Sequence, residues 1–207
     1  MTRISLWTAP SPLILASKSA ARLTLLNNAG LFPTVHTAEF DERSFEATLN
    51  PSTSITERAN QLAIEKARLV SLTHHDAYVI GADQMLDCDG RILHKASTLD
   101  EAQAQLTFLS GRQHRLTSAV AVCRNGVPVF SQTEEAHLTM RQLSPDMIRD
   151  YSAMLGDTLL HTVGGYELEA LGVHLFERIE GSFFAILGLP LEPLLAYFRR
   201  EHCLALS

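Results

Sequence analysis

Asp83 is the side chain best placed to do chemistry in this 207-residue chain. It follows Tyr78-Val79-Ile80-Gly81-Ala82, an apolar run that reads as a buried strand narrowing to two small residues. A carboxylate at the carboxyl end of such a strand can bind Mg²⁺ or orient a water, and that edge is where open α/β sheets place ligands. The same residue can equally cap a helix or form a turn. Glu39, Asp41 and Glu42 close a second predicted strand, Phe32 to Phe40. Clustered carboxylates repel one another unless a cation intervenes, so they could complete a metal site with Asp83, or be solvated loop charge. Arg22, Lys66 and Lys95 lie apart in sequence, each near a strand–helix junction or on a helix that could face one. Together they would hold a triphosphate and stabilise charge in phosphoryl transfer; singly, each is ordinary surface charge. Ser17 and Ser19 fall at a strand-to-helix junction, where unpaired helix N–H groups favour an anion.

These residues need elements to position them. Leu13 to Ala16 is a short apolar run and reads as a buried strand. Ala20 to Leu26 has an apolar helical face and stops near Gly30. A long helix is expected over Thr56 to Leu72, with Ser54 and Glu57 in capping-box order and Ala59, Leu62, Ala63, Ala67 and Val70 on its apolar face. Asp87 to Gly90 reads as a tight turn and Arg91 to His94 as an extended segment, with a helix over Thr98 to Leu109. Arg115 to Cys123 and Val127 to Phe130 form a hairpin around Asn125-Gly126, a strong turn signal. Glu135 to Arg141 reads as another strand, and Ser144-Pro145 opens a helix to Leu155. Strands are expected over Leu175 to Ile179 and Phe183 to Ile186, and a last helix over Pro190 to Phe198. A mixed sheet with helices on both faces packs this order most simply.

Composition narrows the function. Hydrophobic residues make up 46% of the chain, enough for a sizeable core. The formal net charge is -6 with no block of Lys and Arg, which argues against a nucleic-acid polymer as partner. A small polyanion stays possible, because a few cations and one bound metal offset a negative surface locally. Cys88, Cys123 and Cys203 are odd in number and widely spaced, so neither a disulfide framework nor a zinc knuckle is expected. No apolar run reaches membrane-spanning length, and Met1 to Pro12 lacks a signal-peptide apolar block, so the expected location is cytoplasmic and no membrane is involved. There is no G-x-x-x-x-G-K-S/T loop and no G-x-S-x-G elbow, and Val163-Gly164-Gly165-Tyr166 lacks a dinucleotide context. His114, between Arg112 and Arg115, reads as a ligand contact or as a structural residue.

In order and spacing, the motifs resemble the Maf family of nucleoside triphosphate pyrophosphatases, once described as septum-formation inhibitors. The family's opening motif, L-A-S-x-S-P-R-R-x-x-L-L, corresponds to Leu15 to Leu26, with Ala20 and Ala21 in place of proline and the first arginine. Glu39-Phe40-Asp41-Glu42, Ala63-Ile64-Glu65-Lys66-Ala67 and Ile80-Gly81-Ala82-Asp83-Gln84 match further motifs. So do Leu109-Ser110-Gly111-Arg112-Gln113-His114, Val163-Gly164-Gly165-Tyr166 and Ile179 to Pro190, while in His94-Lys95-Ala96 only the lysine survives. The resemblance implies an α/β fold of the Maf/Ham1-like kind, a mixed central sheet flanked by helices with two lobes around a deep cleft. It implies one domain over residues 1–207 with two intimately packed lobes, and commonly a homodimer. It also implies hydrolysis between the α- and β-phosphates of a nucleoside triphosphate, with Mg²⁺ or Mn²⁺.

By the same resemblance, Glu39 and Asp83 would hold the metal and activate water, with Lys66 and Lys95 as further catalytic residues binding phosphates. Ser17, Ser19, Arg22, Gln84, Arg112 and Glu169 would bind substrate. Gln84 and Glu169-Ala170-Leu171-Gly172 resemble the branch acting on 7-methyl-GTP, where a carboxylate suits the N–H donors and the positive charge of methylated guanine. Ala21 matches neither that branch nor the one acting on dTTP and UTP, which is the alternative substrate class. A non-catalytic nucleotide-binding regulator of cell division is the competing function, favoured by Ala20, Ala21 and Ala96.

Overall fold

The computed structural model describes residues 4–206; Met1 to Arg3 and Ser207, the ends of the expected domain, lie outside the described residues. Among the described residues the sheet has seven strands, β1 (Leu13–Leu15), β2 (Thr34–Val35), β3 (Tyr78–Cys88), β4 (Arg91–Leu93), β5 (Gln113–Arg124), β6 (Val127–Met140) and β7 (Phe176–Glu180), in the order β2-β1-β3-β5-β6-β7 with β4 also paired to β3. Parallel and antiparallel pairs coexist, and helices flank the sheet, which makes this the mixed α/β fold expected. The described residues divide into two compact units: one from residues 4–84, 118–134 and 187–206, the other from Met85–Thr117 and Glu135–Ile186.

In the first unit β1 (Leu13–Leu15) pairs in parallel with β2 (Thr34–Val35) and with the start of β3 (Tyr78–Cys88). Helix α1 (Ala20–Asn28) follows β1, capped by Ser19, whose Oγ accepts from Arg22 N at 3.4 Å. Helix α2 (Glu42–Thr48) was not legible as an element and occupies the polar stretch before Pro51. Helix α3 (Ile55–Ser71) begins where Ser54 Oγ accepts from Glu57 N at 3.1 Å. Its small residues let it lie close to the sheet: Ala67 and Val70 share a core cluster with Ile14, Ala16, Val79 and Cys123. The strands β5 (Gln113–Arg124) and β6 (Val127–Met140) meet at Asn125-Gly126, both with positive φ (50° and 78°), as that dipeptide demands. Ser71 Oγ accepts from Gly126 N at 2.9 Å and so ties this turn to the end of α3. Helix α7 (Leu191–Arg200) buries Phe198, against which the Trp7 ring packs edge-on at 5.1 Å.

In the second unit β4 (Arg91–Leu93) pairs antiparallel with the end of β3, and β7 (Phe176–Glu180) with the end of β6. Helices α4 (Leu99–Leu109) and α5 (Pro145–Leu155) pack on each other, with Leu106 and Leu109 of α4 and Ile148 and Tyr151 of α5 buried. Two 3₁₀ turns, Val163–Gly165 and Leu171–Leu175, lead into β7.

Four expectations on elements change. Phe32 to Phe40 supplies only two strand residues, because β1 has just three residues to pair with and Pro33 offers no N–H. Asp83 does not end β3; the strand runs on to Cys88. The segments taken as Val127 to Phe130 and Glu135 to Arg141 are one strand, β6. Phe183 to Ile186 is the short helix α6, not a strand, with Gly181 (φ 115°) and Gly188 (φ 85°) turning the chain on either side. A four-residue apolar run carries no periodicity that separates the two states.

Candidate active site

Asp83 gains its position from the inequality of β1 and β3. The pairing of β1 with β3 reaches Leu15 opposite Ile80, so Asp83 lies past the last β1 partner although it is mid-strand. It is only 7% exposed, a costly setting for a lone carboxylate. Lys66 on α3 supplies its partner: Nζ donates to Asp83 Oδ1 at 2.7 Å. The same ammonium lies 2.9 Å from Glu42 Oε2. Neighbouring charge does not compete for it, since Arg68 forms a two-bonded pair with Glu65 at 2.7 Å.

Gly81 makes this approach possible. A Cβ there would collide with the Ala63 carbonyl oxygen and stand 2.7 Å from Ala67 N. Both are backbone atoms of α3, so no side-chain shift could relieve the contact. Glycine in the strand lets the helix backbone come close enough for Lys66 to reach Asp83.

Arg22 joins the cluster from α1. Its Nε donates to Gly188 O at 2.8 Å, and Nη1 donates to Ala82 O at 2.8 Å and to Ser17 Oγ at 3.1 Å. Burial pulls its pKa down, and the charges of Asp83 and Glu42 push it back up. Ser17 Oγ also accepts from Ser19 N at 3.2 Å, so the loop entering α1 is folded on itself. Gln84 donates from Nε2 to the buried Ser118 Oγ at 3.0 Å.

Of the three clustered acids, Glu42 is the one that reaches Lys66. Glu39, expected to hold the metal with Asp83, lies on the exposed segment before α2. The difference comes from α2. Asp41 is its N-cap, accepting Ser44 N at 3.1 Å and Ser44 Oγ at 2.6 Å, and these bonds hold its pKa below the usual carboxylate range. The cap spends Asp41 and starts the helix at Glu42. An Asp followed by a helix-tolerant run with Ser at the third position was the available sequence signal.

The other expected site residues belong to the second unit. Lys95 is exposed in the link between β4 and α4, a segment held by Gln105 Nε2 donating to His94 O at 2.9 Å. Arg112 lies over the Phe108 ring at 4.5 Å and 3.7 Å from Asp89. Glu169 is exposed in the tight turn closed by Ala170 N donating to Glu167 O at 3.2 Å. His114 is structural: it is 2% exposed, with Nε2 2.7 Å from Tyr166 Oη.

A model of the Maf family, described as Maf-like protein, matches residues 12–201. The chain belongs to the Maf family. A relative from Nitrobacter hamburgensis, a nucleoside triphosphate pyrophosphatase by name, is 49% identical over 203 residues, 98% of this chain and 100% of that one. Another, the 7-methyl-GTP pyrophosphatase of Brucella abortus, is 44% identical over 193 residues, 93% of this chain and 97% of that one. The crystal structure of a dITP/XTP pyrophosphatase from Mycobacterium abscessus superposes with a TM-score of 0.39 at 17% identity, covering 72% of this chain and 96% of that one, too slight a likeness to bear on the fold.

Among the described residues no three His, Cys, Asp or Glu side chains gather as a ready-made metal cage, and no helix is long and apolar enough to cross a membrane. The donors nonetheless suit a hard divalent ion. Mg²⁺ is typically held by one or two carboxylates together with substrate phosphates, and Asp83 and Glu42 offer two carboxylates on one cation.

Proposed function

We propose that this Maf-family chain hydrolyses a nucleoside triphosphate between the α- and β-phosphates, giving a nucleoside monophosphate and pyrophosphate, with 7-methyl-GTP as its substrate. The observation that carries the reading is Lys66 Nζ held at 2.7 Å and 2.9 Å between Asp83 and Glu42. Two carboxylates sharing one ammonium leave oxygen lone pairs for a divalent cation, whose charge, with that of Lys66 and Arg22, then draws a polyphosphate.

Asp83 and Glu42 would hold Mg²⁺ or Mn²⁺, which when bound neutralises phosphate charge and makes a bound water more acidic. Asp83 is the group within the chain to take the proton from the attacking water, being a carboxylate, little exposed and fixed by Lys66. Lys66 faces the charge that develops on the phosphate oxygens as the anhydride opens. The Ser17–Ser19 loop and the first N–H groups of α1 receive phosphate oxygens. On the strength of the sequence resemblance, Lys95 would bind further phosphate charge and Arg112 would bind substrate. A homodimer belongs to the same reading.

The base assignment is supported by Gln84, by Glu169 and by the name of the Brucella relative. A carboxylate at Glu169 would accept from guanine N–H donors and favour the positive ring of the 7-methylated base. Pyrophosphate release from a panel of 7-methyl-GTP, GTP, dTTP, UTP and ATP with Mg²⁺ tests it. The highest kcat/KM is expected for 7-methyl-GTP. Preference for dTTP and UTP would overturn the base assignment, and binding without turnover across the panel would make the protein a nucleotide-binding regulator.

A further inference from the structure

We infer that Arg22 is a positioning residue for Asp83 rather than a group spent on substrate phosphate. The inference rests on the reading of Asp83 as the reacting carboxylate. Arg22 carries five N–H donors on a rigid plane. Three of its hydrogen bonds go to acceptors from three separate segments: Ser17 Oγ, Ala82 O and Gly188 O. Ala82 O belongs to the residue directly before Asp83, past the point where β1 stops pairing with β3. The backbone there has lost its β1 partner, and the guanidinium takes over as donor on that stretch.

Gly188 completes the device. Its φ is 85°, and a Cβ there would lie 3.3 Å from both Nε and Nη2 of Arg22. The carbonyl can therefore be presented to Nε only with the guanidinium packed closely on a residue that lacks a side chain. The guanidinium also lies within electrostatic reach of Asp83 and Glu42. Only Nη2 has no hydrogen-bond partner among the described residues. Most of the fork is engaged with the protein before any ligand arrives, so the main effect of Arg22 falls on where Asp83 stands.

Arg22→Lys separates the two roles. Lysine keeps the positive charge but cannot bridge three divergent acceptors. A positioning residue acts on the chemical step, so kcat for pyrophosphate release should fall about 100-fold, while KM changes by less than about threefold. A raised KM with unchanged kcat would make Arg22 a phosphate ligand, and unchanged values of both would remove it from the mechanism; either overturns the inference. A second measurement needs no variant. In the unaltered chain the Arg22 Nε–H proton, followed by NMR, should be protected from solvent exchange and unshifted by inorganic tripolyphosphate with Mg²⁺. Fast exchange, or a shift on adding tripolyphosphate, overturns it. A chain with no turnover on any triphosphate but a protected Nε–H would sink the proposed activity and leave the clasp standing.

Discussion

His114 is a histidine kept neutral. It is 2% exposed, its Nδ1 is buried without a hydrogen-bond partner among the described residues, and burial pushes its pKa down to about 4 from 6.5. The unfolded chain therefore binds a proton at this site between pH 6.5 and pH 4 that the folded chain does not. Its contribution to stability is complete above pH 6.5 and is lost as pH falls through that window, by about 3 kcal/mol in all. Urea unfolding at pH 7.5 and pH 4.5 checks this: the wild type should lose about 2–3 kcal/mol more than His114→Gln. Parallel losses in the two proteins would show that the histidine is not the group that titrates. In the sequence, His114 could be read as ligand contact or core; only its burial and the Tyr166 hydroxyl decide. The choice among Glu39, Asp41 and Glu42 has the same character. Their charge was legible, but which one reaches Lys66 depends on a seven-residue helix with no buried side chain, and such a helix leaves no apolar stripe to read.

At the scale of elements, the central relation is the contact of α3 with β3. Both were legible, because a 17-residue amphipathic helix and a buried Val-Ile run are strong signals. The reason for Gly81 was not, since it lies in the helix backbone that crosses the strand. Gly81→Ala should lower stability by about 1–3 kcal/mol, the usual cost of overpacking. By pushing α3 away it should also reduce pyrophosphate release by about 100-fold, through separation of Lys66 from Asp83. Thermal melting and initial rates check both effects, and an unchanged rate in a normally folded variant would show that the close approach is dispensable. Sequence reasoning did less well wherever pairing partners set an element's length. β2 is cut to two residues by the shortness of β1, and β6 runs unbroken through a stretch that reads as two strands.

For the chain as a whole, a net charge of -6 would repel a triphosphate, yet the residues around Asp83 include Lys66 and Arg22 in close reach. Concentrating two cations and two carboxylates around one mid-strand residue of β3 gives a local setting that the overall charge does not describe. Family membership was legible because motif order from Leu15 to Pro190 is a property of the full chain, and the family match over residues 12–201 agrees with it. The central claim is that the carboxylates on Lys66 perform the hydrolysis. Its most direct test is the initial rate of pyrophosphate release with Mg²⁺ for Asp83→Asn and Glu42→Gln beside Glu39→Gln, each verified as folded. The first two should fall by about 10²–10⁴-fold, with Glu39→Gln close to the wild type. Release at the wild-type rate by Asp83→Asn would contradict the account.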